Sequence, residues 1–293
     1  MRATAFFVGV ALGCVTGCTQ SRPLSRFPTG EAALSRMKET HACANGVQGA
    51  GKLDHFGTRG RIRGDASVIA VNPARVRIDI SSPFGATPYT LTSNGQSFTL
   101  NDLPNKQFLF GRASACNLAR LTQVPIPGHA LVSLLRGEAP LLKHDARAAS
   151  LDWEDGHYRI ELPSHHGARQ TVLLEVYAED YAVDWQKQRV RVVGVSTVQS
   201  GAVLYEAELG NFVRAVTAAP RNDEDGLDPM ILPSGGPCAL DIPRSIRLKV
   251  PHSGDDVLFQ YRSVVLNPPL PVGTFTQPVP AGAHEQRVEC DGP

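Results

Sequence analysis

The sequence predicts a mainly β (α+β) protein, an unclosed antiparallel half β-barrel wrapped around short covering helices. Three observations carry this. Strand-length stretches alternate charged and apolar residues, as in "RVRIDIS" at 75–81, where Val76, Ile78 and Ile80 share one face and Arg75, Arg77 and Asp79 the other. Turn residues separate such stretches at short intervals, in a composition of 27 glycines and 22 prolines. The helical patterns are few and too short to build a domain of their own. A sheet with one wet face needs cover on the other, and the economical cover is the helices it curves around.

The first residues read as an export signal. Arg2 supplies the positive start, Ala5 to Gly17 the apolar stretch, and small residues precede Cys18. The stretch is too short for a permanent membrane span. Val15-Thr16-Gly17-Cys18 resembles a bacterial lipoprotein signal, which ends in an apolar residue, a small or hydroxyl residue, a glycine or alanine, then cysteine. Ala11-Leu12-Gly13-Cys14 fits that pattern less well. The resemblance implies cleavage after residue 17 and lipidation of Cys18; the alternative is ordinary secretion with cleavage nearby. Thr19 rather than Asp follows Cys18, which in many Gram-negative bacteria implies sorting to the outer membrane. Residues 18–28, with the proline-punctuated "TQSRPLSRFP", read as a tether, and 29–293 as one domain with a C-terminal extension.

The six cysteines stand at 14, 18, 43, 116, 238 and 290. Loss of Cys14 and lipidation of Cys18 leave an even number in an oxidising compartment. Cys43, Cys116, Cys238 and Cys290 are therefore disulfide candidates, with four free buried thiols as the alternative. Cys43–Cys116 with Cys238–Cys290 is the favoured pairing of three, because it closes the shorter loops.

Thr29 can cap a helix over about 30–44, ended by Asn45-Gly46, with Leu34, Met37 and His41 on one face. His41 reads as a packed residue at the surface edge rather than a ligand. Strands are expected from 58 onward: 75–81, "TPYTLTS", "QSFTLND" and "KQFLFGR" form a meander. Helical patterns follow at 114–122 and 128–137. Strands resume near 147–152, 156–162, 170–178, 189–199, 202–209, 212–218, 244–250 and 256–265. The tail from Val279 is expected to lie beyond the last strand.

No motif points to catalysis. "GVQGAGK" at 46–52 matches the start of a phosphate loop, but Leu53 replaces the required Ser or Thr, and a helix precedes it where a strand should. It reads as glycines between helix and sheet. His165 and His166 read as an exposed turn. Asp223, Asp225 and Asp228 lack the full calcium-loop pattern and read as a solvated acidic loop. Neither G-x-S-x-G nor H-E-x-x-H is present. No enzyme activity, metal or cofactor is expected. A net charge of +1 without a basic patch excludes a nucleic-acid partner.

The segment 79–102 stands out. "SSPFGAT" joins two alternating strands, and Pro83 and Gly85 place Phe84 near the tip of a sharp turn. Exposure would forfeit about 1.5–3 kcal/mol of transfer free energy, so Phe84 folds back on the protein or meets a lipid or a partner. This run, with "TSNGQSFTL" after it and "QVPIPGHALVSLLRGE" at 123–138, resembles the outer-membrane lipoprotein receptor LolB and the LolA/LolB superfamily. The resemblance implies an unclosed barrel with helices over its mouth and an apolar cavity for the acyl chains of lipoproteins or lipids. It also implies an apolar loop residue, here Phe84, that assists membrane transfer. The expected setting is the outer membrane facing the periplasm, or the cell surface, with a periplasmic lipoprotein carrier as a candidate partner. Cavity candidates are Val76, Ile78, Ile80, Leu91, Phe98, Leu100, Phe108, Phe110, Leu131, Leu134 and Leu135. This chain is longer than a typical LolB and carries extra strands after 200. The rival expectation is a structural or interaction lipoprotein whose half-barrel is filled by its own side chains.

Overall fold

The computed structural model describes residues 22–58, 60–82, 85–222 and 229–290. Cys14, Cys18, Phe84 and the three aspartates at 223, 225 and 228 lie outside the described residues. The first helix, α1 (Gly30–His41), begins where Thr29 Oγ1 accepts from Ala32 N at 3.1 Å, and buries Ala33, Leu34 and Met37. Six strands follow: β1 (Gly46–Gly57), β2 (Gly60–Val71), β3 (Arg75–Ser81), β4 (Tyr89–Ser93), β5 (Ser97–Asp102) and β6 (Gln107–Arg112). Two short helices, α2 (Ala115–Thr122) and α3 (Gly128–Leu135), separate these from β7 (Ser150–Glu154), β8 (His157–Pro163), β9 (Ala168–Val176) and β10 (Val190–Gln199). Last come β11 (Ala202–Val216), β12 (Ala239–Val250), β13 (Asp255–Leu266) and β14 (His284–Arg287).

Among the described residues all fourteen strands join one sheet, in the order β14-β6-β5-β4-β3-β2-β1-β13-β12-β11-β10-β9-β8-β7. Every ladder is antiparallel except β14 on β6. The ends of the sheet do not pair with each other, so the barrel is open, as expected. Register shifts at Ala50/Gly51, Val192/Gly194 and Thr197/Val198 bend it. The helices cover its concave face: α1 packs on β10, α2 on β4 and β5, and α3 on β2, β3 and β12.

Four features of the strands and chain ends differ from the sequence-based expectation. The stretch "GVQGAGK" is part of a central strand, β1, rather than a connection between helix and sheet. Its glycines admit close neighbours: a Cβ at Gly51 would stand 2.2 Å from Gln260 O, and one at Gly49 2.5 Å from the Tyr261 ring. The expected strands 202–209 and 212–218 form one strand, β11, with Asn211 at φ 55° inside it. The tail adds β14 to the edge of β6 and crosses the convex face, where Gln277 donates to Thr99 Oγ1 at 3.0 Å. Residues 22–28 are docked rather than free. Phe27 is buried with its ring centroid 4.9 Å from Tyr158, and Leu24 N donates to Tyr181 O.

The disulfides pair as Cys43–Cys238 and Cys116–Cys290, not by the shorter loops. The end of α1 meets the start of β12 because β13 brings β12 beside β1. The tail meets α2 because β14 runs along β6. Sheet order, not separation along the chain, decides which thiols lie within reach.

Candidate functional site

Antiparallel register assigns each strand residue to a face. Ile78 stands opposite Leu91, and Leu91 opposite Leu100, which stands opposite Leu109. These four, with Val76, Ile80 and Phe98, belong to the buried core on the concave side. Phe108 and Phe110 stand opposite Asn101 and Thr99 and therefore point to the convex side. They were expected in the cavity; the residue of β6 that faces inward is Leu109. In "KQFLFGR" the two phenylalanines outweigh one leucine in apolarity, but pairing with β5 sets the face. The convex side tolerates them because the C-terminal extension crosses it, and Phe108 is only 4% exposed.

Between the sheet and helices α2 and α3 lies an apolar cleft of about 60 Å³. One wall comes from the helices: Leu121 and Thr122 of α2, and Leu131, Leu134 and Leu135 of α3. The other comes from five strands. Leu53 of β1, Ala66 and Val68 of β2, and Ile78 of β3 form one half; Ile246 and Leu248 of β12, with Val257 and Phe259 of β13, form the other. Of the expected cavity residues, Ile78, Leu131, Leu134 and Leu135 line the cleft. Val76, Ile80, Leu91, Phe98 and Leu100 are packed core beside it. The strand residues from the second half of the chain were missed as lining. Their alternation is legible in "SIRLKV" and "VLFQY", but nothing in the sequence places β12 and β13 beside β1. Leu53 was missed because β1 was read as a connection.

The free volume is several times the roughly 10–15 Å³ that one water needs on this measure, and far below a long acyl chain. Apolar walls keep such a space dry. A long chain could enter only if α2 and α3 moved apart. Gln123, at φ 61°, ends α2 in a left-handed turn, and Pro125 and Pro127 lie in the short link to α3.

The helices are held by polar contacts at their ends. Arg136 follows α3 and is only 3% exposed. Its Nη1 donates to Asn72 Oδ1 at 2.6 Å and to Glu138 Oε2 at 2.9 Å. Its Nη2 donates to His41 O at 3.4 Å and to Ala44 O. One side chain thus ties α3 to the end of α1 and to the β2–β3 turn. Burial lowers the Arg136 pKa, against the pull of Glu138. It also lowers that of His41, whose Nδ1 lies 2.9 Å from Met37 O. His41 is therefore interior rather than at the surface edge, because the Arg136 cluster closes over it. Tyr261 of β13 donates its hydroxyl to Leu135 O at 3.2 Å, and burial raises its pKa. On α2, Asn117 Nδ2 donates to Arg112 O at 2.9 Å, and Cys116 is tied to the tail.

Beside the cleft, outside its lining, lies His55. It stands opposite Val257 and two residues from Leu53, with Nε2 2.9 Å from Asp255 Oδ1. His165 and His166 occupy an exposed turn, as expected. Among the described residues no group of three or more His, Cys, Asp or Glu side chains is placed to hold a metal. No helix among them is long and apolar enough to cross a membrane.

No family model matches the chain. No curated protein matches it either. Solved structures resemble it at the level of the fold. A LolA superfamily protein from Nitrosomonas europaea aligns with TM-score 0.48 and 16% identity over 86% of this chain and 99% of that one. A domain assigned as an outer membrane lipoprotein-sorting protein, from Vibrio parahaemolyticus, aligns with TM-score 0.49 and 10% identity over 84% and 95%. A DUF1329 family protein from Desulfovibrio piger shares the fold at TM-score 0.51 and 10% identity, over 84% of this chain and 95% of its own. The open antiparallel half-barrel with helices in its concavity is the fold that this chain shares with the Desulfovibrio piger protein.

Proposed function

We propose, from this half-barrel and the resemblance of the sequence to the LolA/LolB superfamily, that the chain binds acyl chains of lipoproteins or lipids between its sheet and helices α2 and α3 and delivers them to the outer membrane. The observation that carries the reading is the cleft itself. Its walls are almost entirely hydrocarbon, and one of them is built from two short helices that the sheet does not need for its own pairing. Binding makes and breaks no bond. Each methylene transferred from water contributes about 0.8 kcal/mol, offset by the work of moving the helices.

In this reading residues 1–17 are removed and Cys18 carries the lipid. The protein works at the outer membrane facing the periplasm, or at the cell surface, and receives its client from a periplasmic lipoprotein carrier. Phe84 meets the membrane during transfer. Cys18→Ala should release the protein from the membrane fraction, and Cys14→Ala should not. Native mass spectrometry of the mature chain without its anchor should reveal bound acyl lipid. Recovery of the bare protein alone, with no uptake of an added long-chain fluorescent probe, would overturn the proposal. A scaffold with a filled half-barrel is the second reading. The small free volume, about 60 Å³, favours it, and the same failed uptake would select it.

A further inference from the structure

His55 is only 4% exposed and points into the concave side, next to two cleft-lining residues, Leu53 and Val257. Asp255 holds its Nε2, and Ser253 donates its hydroxyl to the other oxygen of Asp255. The space for this pair exists because residue 57 is glycine. A Cβ there would stand 2.3 Å from Asp255 Oδ1 and 2.9 Å from His55 Nε2. The other ring nitrogen, Nδ1, is buried without a hydrogen-bond partner. Buried polar atoms are almost always paired, so an unpaired one beside two residues that line an apolar cleft points to a missing partner.

The chemistry of that partner follows from the tautomer. An ionised carboxylate only accepts. Asp255 therefore takes the hydrogen on Nε2, and in the neutral ring Nδ1 is left as an acceptor. We infer that His55 Nδ1 is the polar anchor of the cleft, and that its ligand is an amphiphile with a hydrogen-bond donor, an amide N–H or a hydroxyl, next to its acyl chain. This rests on the acyl-binding reading above. A fatty-acid carboxylate is disfavoured because it would bring a second negative charge beside Asp255. An acyl methyl ester has no donor to offer.

The test compares three ligands of equal chain length: an N-dodecanoyl amide, monododecanoylglycerol and methyl dodecanoate. Each displaces a fluorescent acyl probe from the mature chain without its anchor. At least one of the two donors should bind about tenfold more tightly than the ester. Preference for the amide would identify an N-acylated source, and preference for the glyceride a glycerolipid. His55→Phe should abolish the difference. His55→Gln, which keeps an acceptor, should retain part of it. Two-bond ¹H–¹⁵N spectra of the unsubstituted protein give a readout that does not depend on variants folding. The Nδ1 resonance of His55 should shift with the donor ligands and stay in place with the ester. If no ligand binds, the acyl-binding reading itself fails. If all three bind equally without an Nδ1 shift, that reading stands and the role of His55 is refuted.

Discussion

Arg136→Met offers the sharpest test of how the helices are held. The substitution keeps an unbranched apolar stem and removes five donors. Four acceptors then lose a partner: Asn72 Oδ1, Glu138 Oε2, His41 O and Ala44 O. Glu138 keeps some contact with water, since its side chain is 20% exposed. The two carbonyls lie in the interior. Removing one member of a buried charged pair costs about 3–5 kcal/mol. Each orphaned buried acceptor costs about 1–3 kcal/mol, which overlaps with that figure rather than adding to it. About 4 kcal/mol is therefore expected, against a total stability of about 5–15 kcal/mol for a typical protein. At about 2–4 °C per kcal/mol the melting temperature should fall by about 10 °C. Denaturation followed by circular dichroism measures this. A double-mutant cycle with Glu138→Gln isolates the ion pair, whose coupling should be about 1 kcal/mol. Arg136→Lys should recover only part of the loss, because one ammonium cannot span three elements. A loss below about 1 kcal/mol for Arg136→Met, or full recovery by Lys, would refute the idea that the guanidinium fork ties α3 to α1 and the β2–β3 turn.

Three further outcomes are expected. Val68→Phe should fill the cleft and weaken acyl-probe binding at least tenfold, at about 1–3 kcal/mol of overpacking; unchanged affinity in the folded variant would move the binding site elsewhere. Non-reducing peptide maps should join the Cys43 peptide to that of Cys238 and the Cys116 peptide to that of Cys290. With sequence separations of 195 and 174, each bridge contributes about 5 kcal/mol in the chain-entropy account, so reduction should lower the melting point steeply, whereas a Cys43–Cys116 peptide would contradict the sheet order. Burial lowers the pKa of His41 in the folded protein, so below pH ~6.5 the unfolded chain binds the extra proton and stability falls by up to ~1.4 kcal/mol per pH unit; His41→Gln should flatten the stability profile just below pH 6.5, and an unchanged slope would assign the loss to other groups.

The faces of β3, β4 and β5 were legible because each alternates apolar and polar residues over its whole length, and the pleat converts that period of two into an inside and an outside. The cap of α1 was legible for a similar reason: Thr29 acts within one turn of its own position. "KQFLFGR" was misjudged because both of its faces are apolar, so alternation could not choose between them. "GVQGAGK" was misjudged because glycine carries no pattern, and only the neighbouring backbone of β13 explains its presence. The cleft was half legible. Its helix wall and Ile78 follow from local periodicity, whereas Ile246, Leu248, Val257 and Phe259 face it only through the pairing of β13 with β1.

The sequence by itself determined a chain of alternating strands with short helices, since composition, turn residues and periodicity are local properties. Tertiary structure alone decided which cysteines meet, where the walls of the cleft lie, and that Arg136 and His55 are buried beside it. Each of these depends on a contact between segments far apart in the chain. The meeting of β13 with β1, across two hundred residues or more, is selected by the free energy of the whole sheet and leaves no mark on either segment alone.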